Sequence, residues 1–386
     1  MKIIISTIGK FQLFKLAQQL VKRGFLARLI NSYPKFETTR YGIPRKLARS
    51  IVIKEILQRG WTRFPKFLKN AYNPTYVIHE IFDVLAYYFL IQGDILTGTS
   101  STLLHTLRRA KRMGMLTIVE RASAHIAYQD RILREEYERQ GITPPPIQLP
   151  YKKIIEKELQ EYEEADYISV PSFFAVRTFL EYGISEKKII HVPYGVDIEE
   201  FRKIPKTDNI FRVIFAGGMS FQKGVHYLLQ AFHELHLPKA ELLLVGSMHD
   251  EMRPFFKKYE GSFRFIGYVP QRELYRHYSA SSVFAMMSIQ DGFGLVQAQA
   301  MACGLPVIAT TNTGGEDLIR EGKDGFIIPI RDVDAIKKKI IYLYEHPEIC
   351  AQMGRSAMEH ISEGFTWDDY GDKMIQAYEN ILARRN

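Results

Sequence analysis

The sequence predicts an α/β protein built from two doubly wound, Rossmann-like domains facing a central cleft. Three observations carry this. Short runs of β-forming residues alternate with helix-compatible segments along most of the chain. The alternation opens with KIIIS, a turn at Gly9, an amphipathic segment from Phe11 to Arg23 and a second strand, ARLIN, and it restarts after Asp197 with FRVIFAGG. At 386 residues the chain is also too long for one ordinary core, and two domains of roughly 150 to 200 residues each are expected.

In the first half, Leu13, Leu16, Ala17 and Leu20 share one face of the opening helix. Strand GDILTG, a basic helix to Met113 and strand MLTIVE follow. The stretch ITPPPIQLPY is a loop, because prolines lack the amide donor a helix needs and constrain their neighbours. The acidic helix KKIIEKELQEYEEAD leads to YISVPS, another helix and IIHVPYGVD. In the second half a helix runs to Leu235, AELLLVG and RFIG supply strands before a helix near Glu273 to Ala280, and VFAMMS, PVIAT and FIIPI complete the strands, each followed by a segment fit for a helix. The amphipathic tail after Gly364 either caps the second domain or crosses back to the first. The expected division is 1–195, 196–365 and a terminal helix over 366–386.

Composition narrows the function. No apolar run approaches the ~20 residues needed to span a bilayer. The N-terminal apolar run is short and ends in a glycine turn, so it reads as a buried strand and the chain as cytoplasmic. Cys303 and Cys350 are the only cysteines, too few for a disulfide framework or a thiolate metal site, and Cys303 reads as a small core residue. The net charge is +9. It is concentrated between Ile43 and Lys69, where Lys and Arg interleave with Ile, Leu, Trp and Phe. That pattern fits either a solvated helix packed on its own domain or an interfacial segment on an anionic membrane surface. No nucleic-acid motif accompanies the charge, so no nucleic acid is expected as a partner.

Three glycine-rich turns follow strands of the second half. In FAGGMSFQKG, backbone amides and the ammonium of Lys223 converge where a helix begins, a place for phosphate. In DGFG, Gly292 and Gly294 allow close approach of a ligand, Phe293 lies between them, and the helix from Leu295 and Val296 offers free N–H groups to an anion. Thr313, Gly314 and Gly315 form the third turn. In the first half, Gly9 and Lys10 follow a strand toward the cleft, as do Glu120, Arg121 and His125 in ERASAHI.

The series GGMSFQKG, LLLVG, FIGYVPQREL, DGFGLVQAQAMACGLPVIAT, TGGEDLI and DGFIIP resembles the donor half of retaining family-four glycosyltransferases (glycosyl transferases group 1), which have the GT-B fold. EYEEADYISVPS and KKIIHVPYGVDIEEF are similar to that family too, whereas residues 33–92 show no clear correspondence. The resemblance implies a nucleotide-diphosphate sugar as donor, UDP- or GDP-linked, and a glycan, lipid-linked or small-molecule acceptor. It implies no obligatory cofactor and no metal, and no Asp-x-Asp motif stands at a donor position.

Carried over position by position, Asp291 and Gln299 stand where the family usually has two glutamates, one on the donor sugar and one on the ribose. Gly218 stands where arginine is common, and Lys223 matches the diphosphate lysine. Gly267, Tyr268 and Val269 fall where the base packs, and His125 where a histidine lies near the sugar. Arg121 is a candidate to replace the arginine missing at Gly218. Glu120 is either a general carboxylate or the partner of Arg121. Gln299 lowers a charge-assisted contact of roughly 1.5–3 kcal/mol to a neutral one of about 0.5–1.5, and Asp291 is shorter than Glu by about 1.5 Å. Three readings stand: a transferase, an epimerase or hydrolase of the same fold, and a non-catalytic relative that binds nucleotide sugar or serves as a scaffold.

Overall fold

The computed structural model describes residues 1–63, 73–144 and 149–385. The end of the basic segment and the centre of the proline stretch lie outside them. The first sheet contains β1 (Ile3–Thr7), β2 (Leu26–Asn31), β3 (Ala48–Ser50), β4 (Ile95–Thr99), β5 (Leu116–Glu120), β6 (Tyr167–Val170) and β7 (Ile189–His191). Every pairing is parallel, in the order β3-β2-β1-β4-β5-β6-β7. The second sheet contains β8 (Phe211–Ala216), β9 (Ala240–Val245), β10 (Arg264–Gly267), β11 (Val283–Met286), β12 (Val307–Thr310) and β13 (Gly325–Ile328). Its order is β10-β9-β8-β11-β12-β13, again parallel.

These strands read as nearly continuous apolar runs because helices cover both faces of each sheet. All five residues of β1 and all four of β11 are buried. In each sheet the strand order reverses once, between β1 and β4 and between β8 and β11. Loops leaving the carboxyl ends diverge there and open a crevice. The turns at Gly9, at Gly217–Lys223 and at Asp291–Gly294 all leave strands that flank these two points.

Several features went unread in the sequence: helix Ile126–Arg139 follows ERASAH directly, helix Thr75–Phe89 precedes β4, and β3 stands in the basic segment. The rest of that segment's described residues contain the helix Ile53–Thr62, one of the two readings of its charge pattern. The strand expected at IIHVPYGVD is short: β7 ends at His191, and only an isolated bridge, Val196 to Thr366, continues it.

The terminal helix, Trp367–Ala383, follows the second domain in sequence but packs on helix Phe11–Lys22 of the first. A capping box between Thr366 and Asp369 starts it, satisfying amides that would otherwise be left open. Lys22 pairs with Asp368 at 2.7 Å and Arg23 with Asp372 at 2.6 Å. Tyr370, Met374 and Tyr378 are buried in a core that also contains Ile3, Ile5 and Leu16. Each buried aromatic or aliphatic side chain of this kind contributes roughly 1.5–3 kcal/mol, so packing rather than the exposed ion pairs holds the helix down.

Candidate active site

The second domain's half is set by glycines that admit no side chain. Gly224 has φ +63°, and a Cβ there would lie 1.7 Å from the carbonyl oxygen of Met287. The loop carrying Lys223 is thereby pressed onto the end of β11. Gly294 has φ +72°, and its Cβ would meet Met286 at 2.5 Å. Helix Leu295–Ala302 starts from that point. Asp291 lies between the two turns: its Oδ1 accepts from the backbone N–H of Gly294 at 3.0 Å and of Phe293 at 3.3 Å, while its Oδ2 pairs with the ammonium of Lys223. One carboxylate thus gathers the two loop amides and the cation that an anionic ligand would use.

Against this face the first domain places a cavity of about 450 Å³. Lys10, Gln12, Tyr41, Tyr194 and Trp367 line one side, and Asp291, Phe293, Gly294 and Leu295 the other. The volume lies in the range of small-molecule sites, and the mixture of rings with a few polar groups is typical of them. Lys10 pairs with Glu37 at 2.5 Å and stands 4.7 Å above the Tyr33 ring. Beneath the cavity, Glu120 ends β5 fully buried; its Oε1 accepts from the Tyr194 hydroxyl at 2.6 Å and from the Gln12 amide at 3.5 Å. Its other oxygen has no hydrogen-bond partner, and burial pushes the carboxyl above its ordinary range.

The two halves touch at Gly292. A Cβ there would lie 2.1 Å from the carbonyl oxygen of Ala122 and 2.4 Å from Ser123 Cα, and the Gly292 carbonyl accepts from Ser172 at 2.5 Å. Farther out, Glu136 of helix Ile126–Arg139 receives His226 at 2.9 Å, the Tyr227 hydroxyl at 2.9 Å and Arg331 at 2.7 Å, all from the second domain.

Two candidates from the first half do not join this cavity. The ring of His125 stacks on Tyr182 at 4.4 Å, and its Nδ1 accepts from the N–H of Ala127, capping a helix. Burial, and then Arg121, pulls its pKa down to about 4. Its surroundings are Tyr162 and Phe179, so the segment meets the GFG loop through Ala122 and Ser123 instead. Arg121 is spent inside its own domain, on Glu158 at 3.0 Å, the Ala124 carbonyl and Gln129. A guanidinium held by a buried carboxylate is not available to a leaving diphosphate, and Glu120 is not its partner.

Beside Gly218 stands a basic side chain: a Cβ at this position would be 3.3 Å from Nε2 of His249. The imidazole comes from the loop after β9, whose His249 N–H bonds to Met219. Sequence reading passed over it because no motif marks the position. Gln299 is buried, with the Tyr278 hydroxyl 3.5 Å from its Oε1. Val296 is half-buried beside it. Gly267 has φ +73° at the end of β10, and Val269 packs on the core while Tyr268 is 78% exposed. Gly9 is buried, its N–H bonded to the Thr7 hydroxyl at 3.3 Å. Thr313 and Gly315 bond to each other at 3.1 Å, and the Gly314 N–H bonds to the carbonyl of Phe293 at 2.9 Å, which fixes the GFG loop from behind.

Residues 196–360 match the family of glycosyl transferases group 1. All the glycine turns of the second half fall inside this matched segment. The chain is 26% identical over 242 residues to the GDP-mannose-dependent monoacylated alpha-(1-6)-phosphatidylinositol monomannoside mannosyltransferase of Corynebacterium glutamicum, covering 57% of this chain and 62% of that protein. Less than two thirds of that relative is therefore matched. Among solved structures, Anabaena HepE in complex with UDP superposes with a TM-score of 0.71 at 16% identity, over 98% of this chain and 100% of that one. Sucrose-phosphate synthase from Thermosynechococcus elongatus gives 0.72 at 17% identity over the whole of both chains. At such identities the likeness is one of fold, and the fold is GT-B. The matched segment is the second Rossmann-like half of it.

Proposed function

We propose that the chain is a glycosyltransferase that moves a sugar from a UDP- or GDP-linked donor to a hydroxyl of a glycan, lipid-linked or small-molecule acceptor. The observation that carries this reading is the convergence of the Lys223 ammonium and the amides of Phe293 and Gly294 on Asp291, which lines one wall of the interdomain cavity with Phe293 and Gly294. The diphosphate takes Lys223 and the amides at the start of helix Leu295–Ala302, and Asp291, released from them, turns to the donor sugar's hydroxyls. His249 supplies a further donor beside Gly218. Fixed dipoles and cations suited to a developing charge are an effective form of catalysis, and they remove the need for an obligatory metal.

Transfer proceeds with retention, through an oxocarbenium-like state, the acceptor entering on the Lys10 and Gln12 side. The Tyr41, Tyr194 and Trp367 rings offer faces for an acceptor sugar and exclude water. The family match, the mannosyltransferase relative and the UDP complex of HepE support the donor class. A donor screen on the full chain by mass spectrometry, with and without acceptors, tests it. Free sugar or an epimer without acceptor product would replace the transferase by a hydrolase or epimerase, and no binding of UDP or GDP by calorimetry would leave a scaffold.

The acceptor reading includes a membrane surface. Among the described residues no helix is long and apolar enough to cross a membrane. Helix Ile53–Thr62, however, leaves Ile53, Ile56 and Leu57 exposed, Ile56 by 66%, with Arg45, Lys46 and Arg49 just ahead of them. Exposed apolar side chains next to unscreened cations suit peripheral binding to an anionic leaflet. Equal retention on neutral and anionic vesicles would exclude it.

A further inference from the structure

On the flank of the first domain, the edge strand β7 and the terminal helix Trp367–Ala383 leave a trough between them. Ile189, Val192 and Pro193 form one wall; Lys373, Ala377 and Ile381 form the other, at the spacing that places side chains on one helix face. The trough holds about 390 Å³. It runs into a second cavity of about 450 Å³ at the amino ends of β5 and β6, the opposite edge of the sheet from the interdomain cleft. Both cavities touch Tyr167, Lys187, Ile381 and Arg384.

Charge at this junction is one-sided. Lys187, Lys188, Arg384 and Arg385 line the second cavity, and Asp166 is its only acid. Asp166 is already engaged: it accepts from the N–H of Thr117 at 2.8 Å and from its hydroxyl at 2.7 Å, and lies 3.3 Å from Lys111. Among the described residues Lys188 has only the carbonyl of Glu163, at 2.8 Å, as a hydrogen-bond acceptor; burial, and then repulsion from Lys111, lower its pKa. Among the described residues Lys187, Arg384 and Arg385 make no ion pair. Unpaired cations at the mouth of an apolar trough cost self-repulsion that an anion would relieve.

We propose that this trough binds an organic phosphate, the phosphate group at Lys187, Arg384 and Arg385 and the less polar body along Ile189, Val192, Ala377 and Ile381. The guanidinium planes suit phosphate geometry, which a lone lysine does not. The helix that forms one wall reaches the interdomain cavity at its other end through Trp367, about 25 Å away at 1.5 Å per residue. Occupancy of the trough therefore braces the same rod that lines the cleft.

Titration calorimetry on the full chain with octyl phosphate and with inorganic phosphate tests the site, alongside sedimentation with phosphatidylcholine vesicles containing phosphatidic acid. Octyl phosphate binds at least about tenfold more tightly than inorganic phosphate. The Lys187→Glu/Arg384→Glu variant loses about tenfold or more, Lys187→Gln/Arg384→Gln loses part of it, and Lys223→Ala in the cleft loses none. These side chains are exposed and unpaired, so the variants keep the fold. Vesicle capture lost in the double variant makes the source a lipid headgroup; binding of soluble octyl phosphate without vesicle capture makes it a free metabolite. Octyl and inorganic phosphate binding alike, or an affinity unchanged in the glutamate variant, overturns the proposal.

Discussion

The ammonium of Lys223 is held by the carboxylate of Asp291, 68 residues later in the chain, and the same carboxylate also caps the GFG amides. In the proposed reaction, donor binding exchanges that internal anion for a diphosphate. Lys223→Ala should therefore lower kcat/KM by roughly 10- to 100-fold, the worth of a charged hydrogen bond of about 1.5–3 kcal/mol. Asp291→Ala frees Lys223 but removes the proposed sugar contact, so nucleotide affinity is expected to hold or rise while kcat collapses. Calorimetry with the nucleoside diphosphate beside initial-rate kinetics separates the two. Asp291→Ala that loses nucleotide binding and kcat in equal measure would refute the exchange.

Asp291→Glu restores about 1.5 Å of reach and is expected to shift preference among donors differing at the sugar hydroxyls. Gln299→Glu is expected to tighten UDP or GDP binding by about tenfold if the ribose is held there, since a charged acceptor replaces a neutral one. Because Gln299 is buried against Tyr278, the charge also carries a desolvation cost, and the balance shows directly as a change in Kd.

His249 lies where a side chain at Gly218 would begin. His249→Ala is expected to raise the donor KM several-fold, and Gly218→Arg in that background to recover most of the loss, because a guanidinium then occupies the same space. Kinetics of the single and double variants decide it. A double variant no better than His249→Ala would mean that the imidazole serves the loop and not the ligand.

Glu136 gives the domain interface a pH dependence. Burial opposes its charge, but hydrogen bonds from His226 and Arg331 outweigh that and hold the carboxyl at about 2 against an ordinary 4.5. A depressed acid contributes its stabilisation above the unfolded value, and that contribution drains away as pH falls from about 4.5 toward 2. Up to roughly 3.5 kcal/mol is involved. Thermal melting of Glu136→Gln should show a lower Tm at neutral pH and a flatter profile across this acid window; an unchanged slope would place the pH dependence elsewhere.

The strands were legible because burial on both faces writes them as apolar runs, as at β1 and β11. Helix Ile126–Arg139 was not, because its inward face carries Glu136, whose partners come from a part of the chain 90 or more residues away. A buried carboxylate breaks the apolar period that marks a helix. In the site, the glycine turns marked the two loops that the Lys223–Asp291 pair joins. Nothing local could announce that Arg121 would be taken by Glu158, or that His125 would stack on Tyr182. Those outcomes depend on the helix packed behind them. The first-domain wall of aromatic rings was invisible for the same reason: Tyr41, Tyr194 and Trp367 come from three distant segments.

The chain passes between the domains twice, side by side: the Val196 N–H bonds to the Phe365 carbonyl at 2.7 Å, and a Cβ on Gly195 would lie 2.4 Å from the Thr366 carbonyl oxygen. Topologically, the second domain is thus an insert spliced into the first, which resumes in the terminal helix. A chimaera that trades donor specificity with another GT-B protein must accordingly be joined at two seams, near 195 and 366. A single join would leave the first domain without the helix that completes its surface and one wall of its cavity.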